Sequence, residues 1–293
     1  MPHLRRSEWV LIVYLVYTAV LSNTVLQVRP PIPTITVAVN SAVIAGFLLL
    51  AYAYSFRKPE FLGIMRDWYP VPLMLLCYRE MGWFAPARHT YTLEQSWELW
   101  DKTLLHNLGL KPAIESLGPV LPSILEVAYL LVYAIPSFGL AMLYVYKRRE
   151  RAGRFIFQFL LGILLAYAVF PCFPSEPPRT VFPGQDLPAY LTVFRRLNLW
   201  LLGGYGIHMS VFPSAHVSGA FSGAFAMIRL LPERPWVGRF LLVLATLIAT
   251  ATVYGRYHYG ADALAGFLVS LVALVIASAT DRRRGTGLLA CRK

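Results

Sequence analysis

Eight apolar runs, each close to the length that crosses a bilayer, leave this chain few folds to choose from. They lie at about 9–28, 35–56, 69–85, 123–146, 154–172, 211–231, 237–254 and 258–280. A helix needs about 20 mainly apolar residues to cross the roughly 30 Å hydrocarbon core. In lipid every backbone amide must be paired inside the protein, and a helix does this within its own segment. The expected fold class is therefore all-α, a polytopic membrane helical bundle of about eight spans. The run at 69–85 is the weakest, since Pro70 and Pro72 interrupt it and Arg79 and Glu80 charge its end. A re-entrant or interfacial segment is its alternative. The first run is long and has no small-residue cleavage site after it, so it reads as a span and not as a signal peptide.

Composition agrees: 57% of residues are hydrophobic, 14% are charged and mean hydropathy is +0.54. Soluble domains are nearer half apolar and a quarter charged. Between the third and fourth runs, Thr92 to Leu105 sets Trp97 and Trp100 among Glu94, Glu98 and Asp101. That pattern fits an amphipathic interfacial helix, or a helix capping the bundle. Cys77, Cys172 and Cys291 stand in unrelated segments with no CxxC or Cys/His spacing. They form neither a zinc site nor a disulfide framework.

The net charge of +12 could point to nucleic acid, but its placement excludes that reading. Basic residues gather at alternate turns: Arg5-Arg6; Arg57-Lys58 with Arg66; Lys147 to Arg154; Arg229, Arg234 and Arg239; and the C-terminal Arg282 to Lys293. These groups hold 18 of the 27 Lys and Arg residues. Such alternation is the positive-inside pattern, and the same groups can meet anionic headgroups. With the 147–154 cluster placed in the cytoplasm, the next span runs outward, and the following segment at 173–210 lies outside. The hairpin 211–254 then returns the chain to that outer face. The expected location is a membrane, with this outer segment and this end of the hairpin on the extracytoplasmic side.

Two histidine motifs meet there. In Pro213-Ser214-Ala215-His216, proline suits a first helical turn. The amides of Ser214, Ala215 and His216 would then form an anion site at a helix N-terminus, with the Ser214 hydroxyl as a further donor. His216 is placed to give a proton to a leaving oxygen. In His258-x-x-x-Asp262 the two side chains share a helix face. The carboxylate can fix the imidazole tautomer and free the other nitrogen to attack. Arg256, two residues earlier, could clamp a phosphate oxygen. A third element, Ser175-Glu176-Pro177-Pro178-Arg179, presents Arg179 from a proline-stiffened backbone. His208 and Asp186 in the same outer segment are candidate headgroup contacts, as are Arg195 and Arg196, with a solvated loop as the alternative. Glu126 reads as a satisfied polar contact within the bundle, or else as part of the cavity wall.

The ordered set Pro-Pro-Arg, Phe-Pro-Ser-Ala-His and Arg-Tyr-His-Tyr-Gly-Ala-Asp-Ala-Leu-Ala-Gly resembles the type 2 phosphatidic acid phosphatase superfamily. Within it, the chain looks most like the branch containing inositol phosphorylceramide synthases and related bacterial proteins. The resemblance covers about residues 120–280 and extends loosely to Arg66-Asp67-Trp68. It implies a six-helix catalytic core in a bacterial cytoplasmic membrane, a lipid substrate (a phospholipid or polyprenyl (di)phosphate), and phosphoryl transfer through a phosphohistidine on the extracytoplasmic side, with no metal and no cofactor. By motif position His258 is the nucleophile, Asp262 orients it, and His216 protonates the leaving group and then activates the acceptor. Arg179, Ser214 and Arg256 hold the phosphate. The chain departs from the common pattern at Cys172, where a lysine is usual, at Thr252, where an arginine is usual, and at Ala215, where glycine is usual. Three regions are expected: N-terminal spans at 1–68, a phosphatase-type membrane domain at 69–280, and a basic cytoplasmic tail at 281–293. The acceptor stays open between water, which makes a hydrolase, and a polyol or sphingoid lipid, which makes a transferase. A non-catalytic lipid-binding protein is the third alternative.

Overall fold

A computed structural model describes residues 4–24, 31–84, 89–207, 209 and 211–290, with the side chains of 57 and 283–290 left out. All regular structure among the described residues is helical, without a strand. Four helices open the chain: α1 (Arg6–Thr24), α2 (Ile32–Arg57), α3 (Glu60–Trp68) and α4 (Pro70–Trp83). Three more, α5 (Thr92–Lys102), α6 (Leu110–Glu115) and α7 (Val120–Leu131), lead to α8 (Ile135–Val145) and α9 (Ala152–Val169). The last five are α10 (Pro178–Val181), α11 (Val193–Tyr205), α12 (Ala215–Leu230), α13 (Pro235–Tyr254) and α14 (Gly260–Ala290).

Five segments are long and apolar enough to cross a membrane by themselves: Ile32–Phe56, Val120–Val145, Arg149–Cys172, Pro235–Tyr254 and Gly260–Arg282. The other three expected runs are helical but of a different kind. α1 carries Glu8, fully buried and ion-paired to Arg66 at 2.6 Å. α3 and α4 follow one another through Tyr69, broken where Pro70 withholds its amide, and they hold Arg66, Asp67 and Glu80 inside the protein. α12 has only 16 residues, yet 12 of them are buried, because α9, α13 and α14 wall it in.

Close approach makes α12 the centre of the bundle. Its Gly219, Ala220, Gly223 and Ala224 let neighbouring backbones in. On α9, a Cβ at Gly162 would lie 2.0 Å from Ser222 Oγ, so only glycine fits that crossing. Leu11 and Leu15 of α1 share one buried cluster with α9 and α12, so the N-terminal helices are part of the same core. The expected helix near Thr92 forms as α5. It caps the bundle with its acidic face inward: Glu94, Glu98 and Asp101 are buried, whereas Leu99 and Trp100 are exposed.

Candidate active site

The hairpin of α12 and α13 brings both histidine motifs to one end of the bundle. Ser214 is the N-cap of α12, its Oγ accepting the Val217 amide at 3.4 Å. Proline 213 therefore precedes the cap and does not occupy the first turn. The Ser214 amide donates to the Asp262 carbonyl at 2.9 Å, which locks the start of α12 to the start of α14. A Cβ at Gly266 would sit 2.4 Å from the Ser214 carbonyl oxygen, so glycine is required for this contact. Ser214 is fully buried and occupied as a cap, and it does not reach the cavity; Ala215 and His216 do.

His258 stands in the turn between α13 and α14. The Thr252 carbonyl accepts the amides of both Tyr257 and His258 at 2.9 Å. His258 Nε2 lies 3.4 Å from His216 Nδ1. On the far side of the ring, His258 Nδ1 is 3.0 Å from the Val211 carbonyl and 3.4 Å from Asp262 Oδ2. A carbonyl can only accept, so Nδ1 carries the proton and Nε2 presents its lone pair. The nearer orienting group is thus Val211, which no side-chain pattern could reveal. Asp262 lies behind it and uses Oδ2 to accept the Tyr259 amide at 2.9 Å. Burial, and next the Arg179 charge, push the His258 imidazole down to about 3, opposed by the Val211 carbonyl.

His216 is held by rings. It stacks on Tyr129 at 5.1 Å, and Tyr129 stacks on Tyr257 at 4.2 Å. Tyr133 Oη lies 3.5 Å from His216 Nε2. Arg179 of α10 sits over the Tyr257 ring at 5.6 Å, its Nη1 directed to the Tyr257 carbonyl at 3.5 Å. Burial lowers its pKa, and no carboxylate among the described residues pairs with it. Arg179 is the one Lys or Arg among the described residues that lines the cavity. A half-buried guanidinium without a counter-charge is a ready anion site.

Arg256 is a correction. Its backbone is left-handed (φ 59°) and its side chain turns away from the histidines. It is fully buried between Glu98 and Asp101 of α5, with Nη1 to Asp101 at 2.9 Å and Nη2 to Glu98. Two carboxylates neutralise it, so it is an anchor and not a phosphate clamp. Asp101 also accepts the Gly260 amide at 2.8 Å, and α5 thereby straps down the turn carrying His258. Asp186 likewise stays off the cavity and pairs with His106 at 2.6 Å. His208 lies outside the described residues. Cys172 is exposed and Thr252 buried, and neither lines the cavity.

Glu126 is the satisfied polar contact that was expected. It accepts from Arg195 at 2.9 Å, from Asn198 at 2.6 Å and from the Tyr257 hydroxyl at 2.6 Å. It fixes the ring on which Tyr129 and Arg179 rest. Reading by motif missed Tyr78, Tyr129, Tyr133, Tyr167 and Tyr257, which all line the cavity. The spacing of Tyr129 and Tyr133 on one helix, and Tyr257 beside His258, was the available signal. Beyond them the wall turns apolar, through Phe159, Ile163 and Phe170 to Met74 and Leu75. Leu75 is exposed on the outside of α4, so the cavity leads toward lipid. The described residues contain no group of three or more His, Cys, Asp or Glu side chains able to hold a metal ion.

A family model described as the PAP2 superfamily matches residues 104–276. A PA-phosphatase related-family protein of Dictyostelium discoideum is 28% identical over 136 residues, 43% of this chain. The match spans only 23% of that relative's length. No solved structure matches.

Proposed function

The chain belongs to the PAP2 superfamily, and from that premise we propose that it is a membrane phosphatase or phosphotransferase acting on a lipid phosphate through a phosphohistidine. The observation that carries this is the pair of imidazoles, 3.4 Å apart, at the base of a cavity with an uncompensated Arg179 and an apolar exit. Arg179 and the free amides at the start of α12 hold the phosphate. His258 Nε2 attacks phosphorus, the phosphorus–oxygen bond to the leaving group breaks, and His216 gives that oxygen a proton. His216 then takes a proton from the acceptor, whose oxygen displaces His258 and restores both imidazoles. No metal enters these steps. The substrate is a phospholipid or a polyprenyl (di)phosphate, and the site faces the extracytoplasmic side, a sidedness that the basic clusters at the opposite end support.

A second reading, transfer to a polyol or sphingoid lipid in the manner of inositol phosphorylceramide synthases, draws on the tyrosines. The phenol groups of Tyr78, Tyr129, Tyr133 and Tyr167 around a cavity of about 80 Å³ can bind a multiply hydroxylated acceptor and leave little room for bulk water. Purified protein incubated with ³²P-labelled lipid phosphates, with and without alcohols and in EDTA, separates the readings. Free phosphate alone indicates hydrolysis and a new phosphodiester indicates transfer. Activity retained in full by His258→Ala rules out the phosphohistidine, and activity lost on chelation rules out the metal-free route.

A further inference from the structure

At the end of the bundle away from the histidines, a cavity of about 570 Å³ opens between the start of α1, the ends of α2 and α3, and the start of α9. Five cations line it: Arg5, Arg6, Lys58, Arg149 and Arg154, against the carboxylates of Glu60, Asp67 and Glu150. The carboxylates are shared. Asp67 serves Arg5 at 2.6 Å and Arg149 at 3.0 Å, while Asp281 serves Arg6 at 3.3 Å, Arg154 at 2.8 Å and also Arg229. Lys58 ends α2 in a left-handed conformation (φ 46°) and has no ion pair among the described residues. The cavity therefore carries surplus positive charge at the level where headgroups lie.

A separate apolar groove opens off this cavity. Trp9, Val13 and Tyr17 of α1 form one wall and Phe157, Leu161 and Leu165 of α9 the other. Arg6 and Phe157 line both spaces, so the two adjoin. Along α9 the groove runs from Phe157 to Ala168. At 1.5 Å per residue that is about 16 Å. This is close to half of the roughly 30 Å hydrocarbon core, the depth of one leaflet. Its far end is closed by the hydrogen bond from Tyr17 to the Ala168 carbonyl at 2.8 Å.

A cationic headgroup cavity joined to an apolar groove one leaflet deep matches a phospholipid with a net negative headgroup. We propose that this end binds one anionic phospholipid, its phosphate among Lys58, Arg149 and Arg154 and an acyl chain between α1 and α9. The bound lipid ties the N-terminal helices to the bundle that carries the histidines. It is not a substrate, because no residue of the active site touches either space.

The test is native mass spectrometry of the delipidated full chain with dioleoylphosphatidylglycerol, dioleoylphosphatidylcholine or inorganic phosphate as probe. One phosphatidylglycerol is expected to be retained at least tenfold more than phosphatidylcholine. Lys58→Glu changes the charge by two, and at roughly fivefold per basic residue it should lower that retention about 25-fold. Val13→Trp, at an exposed position in the groove, should lower it comparably while leaving phosphate binding unchanged. A lipid phosphate in the histidine cavity would ignore both substitutions, so the two sites are told apart. Equal retention of the two lipids, undiminished retention in both variants, or binding of inorganic phosphate as tight as that of the lipid would each overturn the proposal.

Discussion

At the residue scale, the proposed chemistry gives the two imidazoles and the one guanidinium different jobs. His258→Ala should abolish turnover and any acid-labile phosphoprotein, whereas His216→Ala should slow turnover by about 10²–10⁴-fold, the usual range for a lost general acid. Initial rates with a lipid phosphate distinguish them. Arg179→Lys should not restore what Arg179→Ala loses, since an ammonium cannot present a planar fork. The buried His258 also has a signature in stability. Its folded pKa is depressed from 6.5 to about 3, so as pH falls the unfolded chain takes up this proton first. The contribution is complete above about pH 6.5 and is lost on the way down to about 3. Wild-type stability should therefore decline more steeply than that of His258→Gln between pH 6.5 and 4, by up to about 1.4 kcal/mol per pH unit, read from thermal unfolding in detergent. The meeting of His216, His258 and Arg179 around one cavity was legible because each motif is local and the topology alone brings them together. Arg256 was misread because nearness in sequence to His258 suggested a shared target. The left-handed backbone at 256 sends its side chain the other way, to acids 155 and 158 residues earlier. The Val211 carbonyl was invisible because a backbone acceptor has no residue type.

At the scale of elements, precision comes from two contacts made by helix ends. One is the seam of α12 and α14, where Gly266 lies against the Ser214 carbonyl. Gly266→Ala forces these ends apart and should lower activity and cost about 1–3 kcal/mol of stability. Gly46→Ala, which meets open space, is the control, and thermal midpoints with initial rates read both. The other is the strap of α5 on Arg256. Arg256→Ala leaves two carboxylates buried without a counter-charge and should destabilise by about 3–5 kcal/mol. The apolar runs foretold the helices that carry the site, since length and hydropathy alone make a span. They did not foretell that α5 turns its acids inward, because its sequence fits an interfacial helix equally well until its partner is known.

Across the whole molecule, the histidines gather at one end and the basic clusters at the other. A cysteine placed at the exposed Gln185 should be labelled by an impermeant maleimide in intact cells, and labelling only in inverted vesicles would reverse the proposed sidedness. The strap has a further meaning at this scale. The family match starts at residue 104, and α5 ends at Lys102. The stretch that carries the histidine motifs is thus not the stretch that holds them in register. Heredity and mechanics draw different boundaries on this chain: the recognisable unit is the shorter, and grafted alone it would bring both histidines but leave Arg256 without either of its acids.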